Sequence, residues 1–163
     1  MKTPYLYLDY DQMMENLRDS ADLAQKNGTI LRPHCKSHKS PEIARLQMSF
    51  GASGMTASTL KEVRMLQEAG IPSVTLAYPL VDKERVEEFC ALRNHLELRT
   101  IVCSKNHGET LNQWFEGREP AVVYLKVDSG LGRLGINPKE VSTLLSYLKS
   151  LPNLRIIGLL THG

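Results

Sequence analysis

The chain has 163 residues, of which 42% are hydrophobic and 23% charged, a make-up that excludes a disordered tail or a coiled coil and suits one globular domain. Its formal net charge of +2 is too small to imply a nucleic-acid or membrane partner, and the basic residues are scattered except around Lys36. Cys35, Cys90 and Cys103 are odd in number and lack CxxC spacing, which argues against a disulfide framework or a structural zinc and for a reducing, cytoplasmic compartment.

No apolar run reaches membrane-spanning length, and Met1–Asp11 has neither the basic start nor the apolar stretch of a signal peptide, so the mature protein is expected to begin where the sequence begins. After a short β-like opening at Tyr5–Asp9, the apolar residues Met13, Met14, Leu17, Ala21 and Ala24 recur at helical spacing until Asn27-Gly28 stops them. Short apolar runs then predict buried strands at Thr29–Leu31, Val74–Tyr78, Leu98–Cys103, Val122–Val127 and Ile156–Leu160, with a weaker one at Ala52–Ala57. Helices between them have readable starts at Thr59-x-x-Glu62 and Asn137-Pro138-x-Glu140, and Asp82 and Ser104 are candidate caps for two more. Six strands alternating with helices on short loops imply βαβ units, a parallel sheet and an α/β fold in one domain.

Periodicity leaves two closures open, a doubly wound sheet and a (β/α)8 barrel. Either one places chemistry at strand C-termini, where the polar residues of this sequence gather: His34 to Lys39, Thr56 and Ser58, Lys126 and Asp128, and His162. A full barrel needs upwards of roughly 200 residues, so a barrel reading expects this one to be unfinished, cut inside a functional strand end after about six strands. Open first and last strands would leave backbone edges unpaired, and the isolated segment is expected to behave poorly on its own.

Around Lys36, the residues Arg32, His34, His38 and Lys39 form a cluster of cations between Pro33 and Pro41. A Schiff-base lysine must be neutral to attack a carbonyl, and nearby positive charge with partial burial favours that state, which makes Lys36 a candidate nucleophile. A solvated basic loop accounts for the same residues. A zinc site on His34, Cys35 and His38 is a third reading, weakened by three ligands crowded within five residues and no distant fourth. Farther along, Gly130, Gly132 and Gly135 spell GxGxxG, the mark of a dinucleotide-binding module. The better helix start is nevertheless Asn137-Pro138, and the next strand ends in Thr161-His162-Gly163 without an acid for the ribose.

The segment Leu31-Arg32-Pro33-His34-Cys35-Lys36-Ser37-His38-Lys39 resembles the RPHxKTHK signature of D-threonine aldolases and D-serine dehydratases, with Ser37 as a conservative variant. These are relatives of the alanine racemase N-terminal domain, fold-type III pyridoxal phosphate enzymes. The resemblance continues in order through Gly51–Glu62, Leu76-Ala77-Tyr78-Pro79, Lys126–Gly135 (KVDxGxxRxG) and Gly158–Gly163 (GLxTHG). It implies the barrel rather than the doubly wound sheet, with residues 1–163 as the N-terminal part of a cofactor-binding barrel domain and the remaining strands and a C-terminal β domain outside them.

By the same resemblance, Lys36 would join the cofactor as a Schiff base, His162 would stack on its pyridine ring, and Arg133 would sit near its phenolic oxygen. His34, His38 and Lys39 would tune Lys36. The implied reaction is cleavage of a β-hydroxy-D-amino acid to glycine and an aldehyde. A D-serine dehydratase-like lyase, an amino acid racemase and a non-catalytic pyridoxal phosphate carrier are the alternatives. A divalent metal and most of the phosphate grip would depend on residues beyond Gly163; the partner is a small D-amino acid, and a homodimer is an allowed assembly.

Overall fold

A computed structural model describes residues 3–5 and 7–162. Helix α1 (Tyr10–Lys26) is capped by Asp9, whose carboxylate accepts the Gln12 N–H at 3.0 Å. Its half-buried residues are Met13, Met14, Leu17, Ala21 and Ala24, the stripe that the spacing predicts. Then follow α2 (Pro41–Ser49), β1 (Met55–Ala57), α3 (Leu60–Glu68), β2 (Ser73–Leu76), α4 (Lys83–Arg93), β3 (Glu97–Val102), α5 (Lys105–Trp114), β4 (Ala121–Lys126), α6 (Val141–Leu148) and β5 (Leu154–Leu160). Thr59, Asp82 and Ser104 cap α3, α4 and α5 by accepting the N–H three residues on. Asn137 and Pro138 open a short 3-10 turn that runs into α6.

All strand pairs are parallel, in the order β1-β2-β3-β4-β5. A doubly wound sheet reverses direction at a switch point in its strand order. This sheet never reverses, so the winding is that of a (β/α) barrel, and the fold is α/β.

The described residues hold five strands rather than the predicted six. Thr29–Leu31 forms none, and Ile30 is 81% exposed. Pairing begins later instead: the Ser53 N–H donates to Leu31 O, the Thr56 N–H to Pro33 O, and only His34 bridges to Thr56. Pro33 has no N–H with which to extend a ladder, so this edge stays irregular. The described residues of Tyr5–Asp9 form no strand either, and Leu6, like Met1, Lys2 and Gly163, lies outside the described residues.

Successive residues of a strand face opposite sides, which sorts the sheet into two layers. One face carries Met55, Ala57, Val74, Leu76, Leu98, Val102, Val123 and Leu125, all buried in a continuous core with Val63, Leu66, Phe89, Leu111 and Phe115 of the helices. Phe89 and Phe115 meet edge to face at 6.1 Å. On the other face the register aligns Thr56 with Thr75 and Arg99, Tyr124 with Gly158, and Lys126 with Leu160. This inner face is mixed, with fully buried Ile101 and half-buried Leu160 among its polar residues. At its lower end the Arg32 guanidinium donates to Ser73 O at 3.2 Å and to Ser73 Oγ at 3.1 Å, and Ser73 Oγ donates to Glu97 at 2.8 Å.

Two local features lend themselves to measurement. Gly54 sits at φ +148°, and a Cβ there would overlap both the Arg32 guanidinium and Ser73 O. Gly54→Ala in the full protein is expected to cost about 2 kcal/mol or more of unfolding free energy, read by urea denaturation. His107, on α5, lies 2.9 Å from Leu80 O through Nε2 and 3.5 Å from Cys103 Sγ through Nδ1. A carbonyl only accepts, so Nε2 carries the proton and Nδ1 receives the thiol. Burial pushes the His107 imidazole below its ordinary 6.5 and the Cys103 thiol up. The unfolded chain therefore binds the proton more readily, and stability is expected to fall as pH drops through 6.5 towards the lower folded value. Chemical denaturation across that range should show a shallower acid loss for His107→Gln.

Candidate active site

Strand ends that converge on one rim build the site. The polypeptide passing the edge of β1 turns through a 3-10 helix, Cys35–Ser37, that places Lys36 at the rim and leaves its side chain exposed. The turn is closed by the His38 and Lys39 N–H groups, both donating to Cys35 O at 3.2 and 2.8 Å. Lys39 ends it at φ +49°, a conformation that a lysine seldom adopts. Around Lys36 opens a cleft of about 770 Å³, lined by His34, Thr56, Ser58, Tyr78, Lys126, Arg133, Leu160, Thr161 and His162 among others. The three predicted site residues, Lys36, Arg133 and His162, thus share one cavity, although they lie far apart in the sequence, from position 36 to position 162.

The cation cluster around Lys36 is largely dispersed. Arg32 is engaged with Ser73 and with Ser53 O. Lys39 Nζ lies 3.6 Å from Glu62. His34 Nδ1 accepts the Lys36 N–H at 3.2 Å, which leaves the proton on Nε2, 3.2 Å from Ser58 Oγ. Burial and the neighbouring Lys36 cation push His34 below its ordinary value, and burial does the same to His38, whose Nδ1 accepts the Ser40 N–H at 3.1 Å. Both rings are neutral at neutral pH. Cys35 is fully buried beside Glu62, and burial together with that carboxylate pushes its thiol up to about 12. His34, Cys35 and His38 are thus each engaged elsewhere, and among the described residues no group of three His, Cys, Asp or Glu could hold a metal.

Two further residues stand at the site without a role in the sequence reading. Lys126, which the sequence places only among the polar strand ends, is 6% exposed at the end of β4 and lines the cleft. Burial and the Arg133 cation push its ammonium below the ordinary range, with Asp128 opposing them. Glu62 is the other: the sequence marks it as half of a capping box, yet it is a buried carboxylate behind the Lys36 turn.

The glycine loop after β4 is a self-contained turn. Asp128 Oδ1 accepts the N–H groups of Gly130 and Gly132, each at 3.0 Å, and these bonds hold its carboxyl below the usual range. Val127 bridges to Ile136, and a Cβ on Gly135 would come within 2.6 Å of the Asp128 backbone nitrogen. In a dinucleotide site these N–H groups would face a pyrophosphate and a helix would open among the glycines. Here a side chain occupies the donors and helical structure starts only at Pro138. Ser129 Oγ reaches Thr161 Oγ1 at 2.5 Å and His162 O at 3.2 Å, tying the loop to the end of β5.

Known proteins resemble this chain in sequence and fold. The D-threo-3-hydroxyaspartate dehydratase of Delftia sp. (strain HT23) is 29% identical over 168 residues, covering 100% of this chain and 44% of that protein. The D-threonine aldolase of Arthrobacter sp. is 29% identical over 164 residues, covering 99% and 43%. Among solved structures, D-threonine aldolase from Filomicrobium marinum superimposes with a TM-score of 0.88 at 30% identity over 97% of this chain and 43% of that one. The Delftia sp. HT23 dehydratase superimposes with a TM-score of 0.90 at 28% identity over 99% and 44%. The chain therefore spans less than half the length of these relatives. With residues 8–163 matching the family's alanine racemase N-terminal domain, and Lys36, Arg133 and His162 around one cleft, the chain belongs to the alanine racemase N-terminal domain family.

Proposed function

We propose that this chain is the N-terminal part of a pyridoxal phosphate-dependent lyase acting on β-hydroxy-D-amino acids, D-threonine aldolase-like in giving glycine and an aldehyde. The observation that carries the proposal is the convergence of a rim lysine, an arginine and a histidine from separate strand ends on one cleft. The donor set fits the cofactor. Lys36 is an accessible amine for its aldehyde, Arg133 a cation for its phenolic oxygen, and His162 a flat ring for its pyridine face.

Bound there, pyridoxal phosphate supplies an electron sink for the charge left when a bond to Cα breaks. The chain's own residues orient and polarise. His34, a neutral ring bonded to both the Lys36 N–H and Ser58, fixes the lysine's backbone. Lys126, buried at the end of β4, has its ammonium disfavoured by burial and by the Arg133 cation, and Asp128 offsets this in part. Thr56, Ala77 and Leu160 form the inner wall against which the cofactor and substrate would lie.

The reading places the rest of the barrel, a C-terminal β domain, most of the phosphate grip and any divalent-metal ligands in residues beyond Gly163, and a small D-amino acid as the substrate. Among the described residues no helix is long and apolar enough to cross a membrane, and a cytoplasmic site is part of this proposal because Cys35, Cys90 and Cys103 are all free thiols. Dehydratase and racemase chemistry are neighbouring outcomes of the same cleft. A pyridoxal phosphate carrier without turnover is the reading from another class.

Full-length protein supplied with cofactor, a divalent metal and D-threonine or D-serine decides among them. Glycine with an aldehyde supports the aldolase, pyruvate the dehydratase, and no turnover at all sinks the enzyme reading in favour of the carrier. Lys36→Ala is expected to lower turnover by about three orders of magnitude or more. Borohydride reduction followed by peptide mass spectrometry should find the pyridoxyl group on Lys36; finding it on another lysine overturns the assignment.

A further inference from the structure

Glu62 occupies the third position of α3, where a capping-box glutamate ordinarily turns back along the helix end in contact with water, yet it is 6% exposed. A carboxylate is costly to bury unless its lone pairs are filled. Those of Glu62 are filled by the neighbours of Lys36. Its Oε2 accepts the Ser58 N–H at 2.7 Å and lies 3.8 Å from the Cys35 thiol, while Oε1 is 3.6 Å from Lys39 Nζ.

Cys35 precedes the lysine directly and Lys39 closes its turn. Ser58 carries the connection further. Its hydroxyl meets His34 Nε2 at 3.2 Å, and His34 Nδ1 in turn accepts the backbone N–H of Lys36 at 3.2 Å. One buried oxygen thus reaches Lys36 by two routes, directly through the preceding side chain and through a chain of Ser58 and His34 that ends on the lysine's own amide.

We propose that Glu62 is a positioning residue for Lys36, holding the Cys35–Ser37 turn by hydrogen bonds from behind so that the lysine amine is presented at one place in the cleft. The proposal rests on Lys36 being the cofactor lysine. Position, rather than charge, is what Glu62 supplies, because two of its three partners are a thiol and a backbone N–H. Lys39, its one cationic partner, is mostly exposed and adds little.

The test uses the full-length protein with Glu62→Ala and Glu62→Gln. Two readouts apply: the rate at which cofactor-free protein regains covalently attached pyridoxal phosphate, and the amide hydrogen exchange of Lys36 in cofactor-free protein. Exchange at Ile101 and Leu125 serves as the control for the fold. Losing buried bonds to a charged acceptor is expected to make Glu62→Ala reattach cofactor about ten- to a hundredfold more slowly and exchange the Lys36 amide faster by a similar factor. Glutamine can set its carbonyl oxygen where Oε2 stands and accept from both the Ser58 N–H and the Cys35 thiol, so Glu62→Gln is expected to stay within about threefold of the parent on both.

A Glu62→Ala protein with intact control amides and a Lys36 amide exchanging within twofold of the parent overturns the proposal. So does a folded Glu62→Gln as impaired as Glu62→Ala. Should Glu62→Ala lose its control amides, Cys35→Ala removes one route without touching the cleft. It must then speed Lys36 exchange severalfold, and an unchanged rate counts against the hold. Cofactor that stays attached in Lys36→Ala refutes the lysine's role, a failure separate from an unaltered Lys36 amide in Glu62→Ala, which refutes the positioning.

Discussion

Parallel pairing in unbroken sequence order is the constraint on which the rest of this structure depends. A chain that pairs each new strand in parallel with the last must cross back along a helix every time, so every strand starts at one edge and ends at the other. Because the order β1 to β5 never reverses, the crossovers cover one face of the sheet and make the other the mixed inner one. Residues distant in sequence are then neighbours by necessity. The turn after Pro33, the end of β4 and the end of β5 meet at the rim for this topological reason, before any side chain has been chosen.

Side chains convert that rim into a site through burial as much as through charge. The cluster around Lys36 looks, as a string of letters, like an electropositive loop. In three dimensions its members take other partners: Arg32 goes to the lower end of the inner face, Lys39 to Glu62, and His34 and His38 are neutral acceptors of backbone N–H groups. What surrounds the lysine is a scaffold of hydrogen bonds. A second positive charge stands across the cleft, where burial and the Arg133 cation hold the Lys126 ammonium below its ordinary range.

Helix starts are the most legible part of the sequence, because a cap is a local interaction: Thr59, Asp82, Ser104 and Asn137 all accept the N–H groups that their positions imply, while Asp9 caps α1 from a stretch that reads as β. The half-buried stripe of α1 and four of the six strand runs were equally plain, since their periodicities are set by burial on one side. The Thr29–Leu31 run misled because apolarity says nothing of pairing, and the proline that spoils the ladder lies two residues later. Ser40-Pro41, a good helix start, was hidden inside the cationic cluster. Lys36, Arg133 and His162 could be named because ordered motifs mark them, and the structure brings them to one cleft. Glu62 could not be read as buried, since the burial is imposed by Cys35 and Ser58 folding over it from segments the helix does not contain.

The closed glycine loop carries a consequence for how the cleft distinguishes anions. Backbone N–H groups in a turn are indifferent to which acceptor they meet, and by filling those of Gly130 and Gly132 with its own carboxylate the chain makes this part of the rim blind to phosphates and carboxylates arriving from solvent. Recognition of negative charge is thereby moved from backbone to side chains. A backbone nest accepts an anion whatever its shape, whereas the cations that line this cavity, Lys36, Lys126 and Arg133, are side chains carried by separate segments. Asp128 is thus the resident occupant of donors that an anion from solvent would otherwise meet.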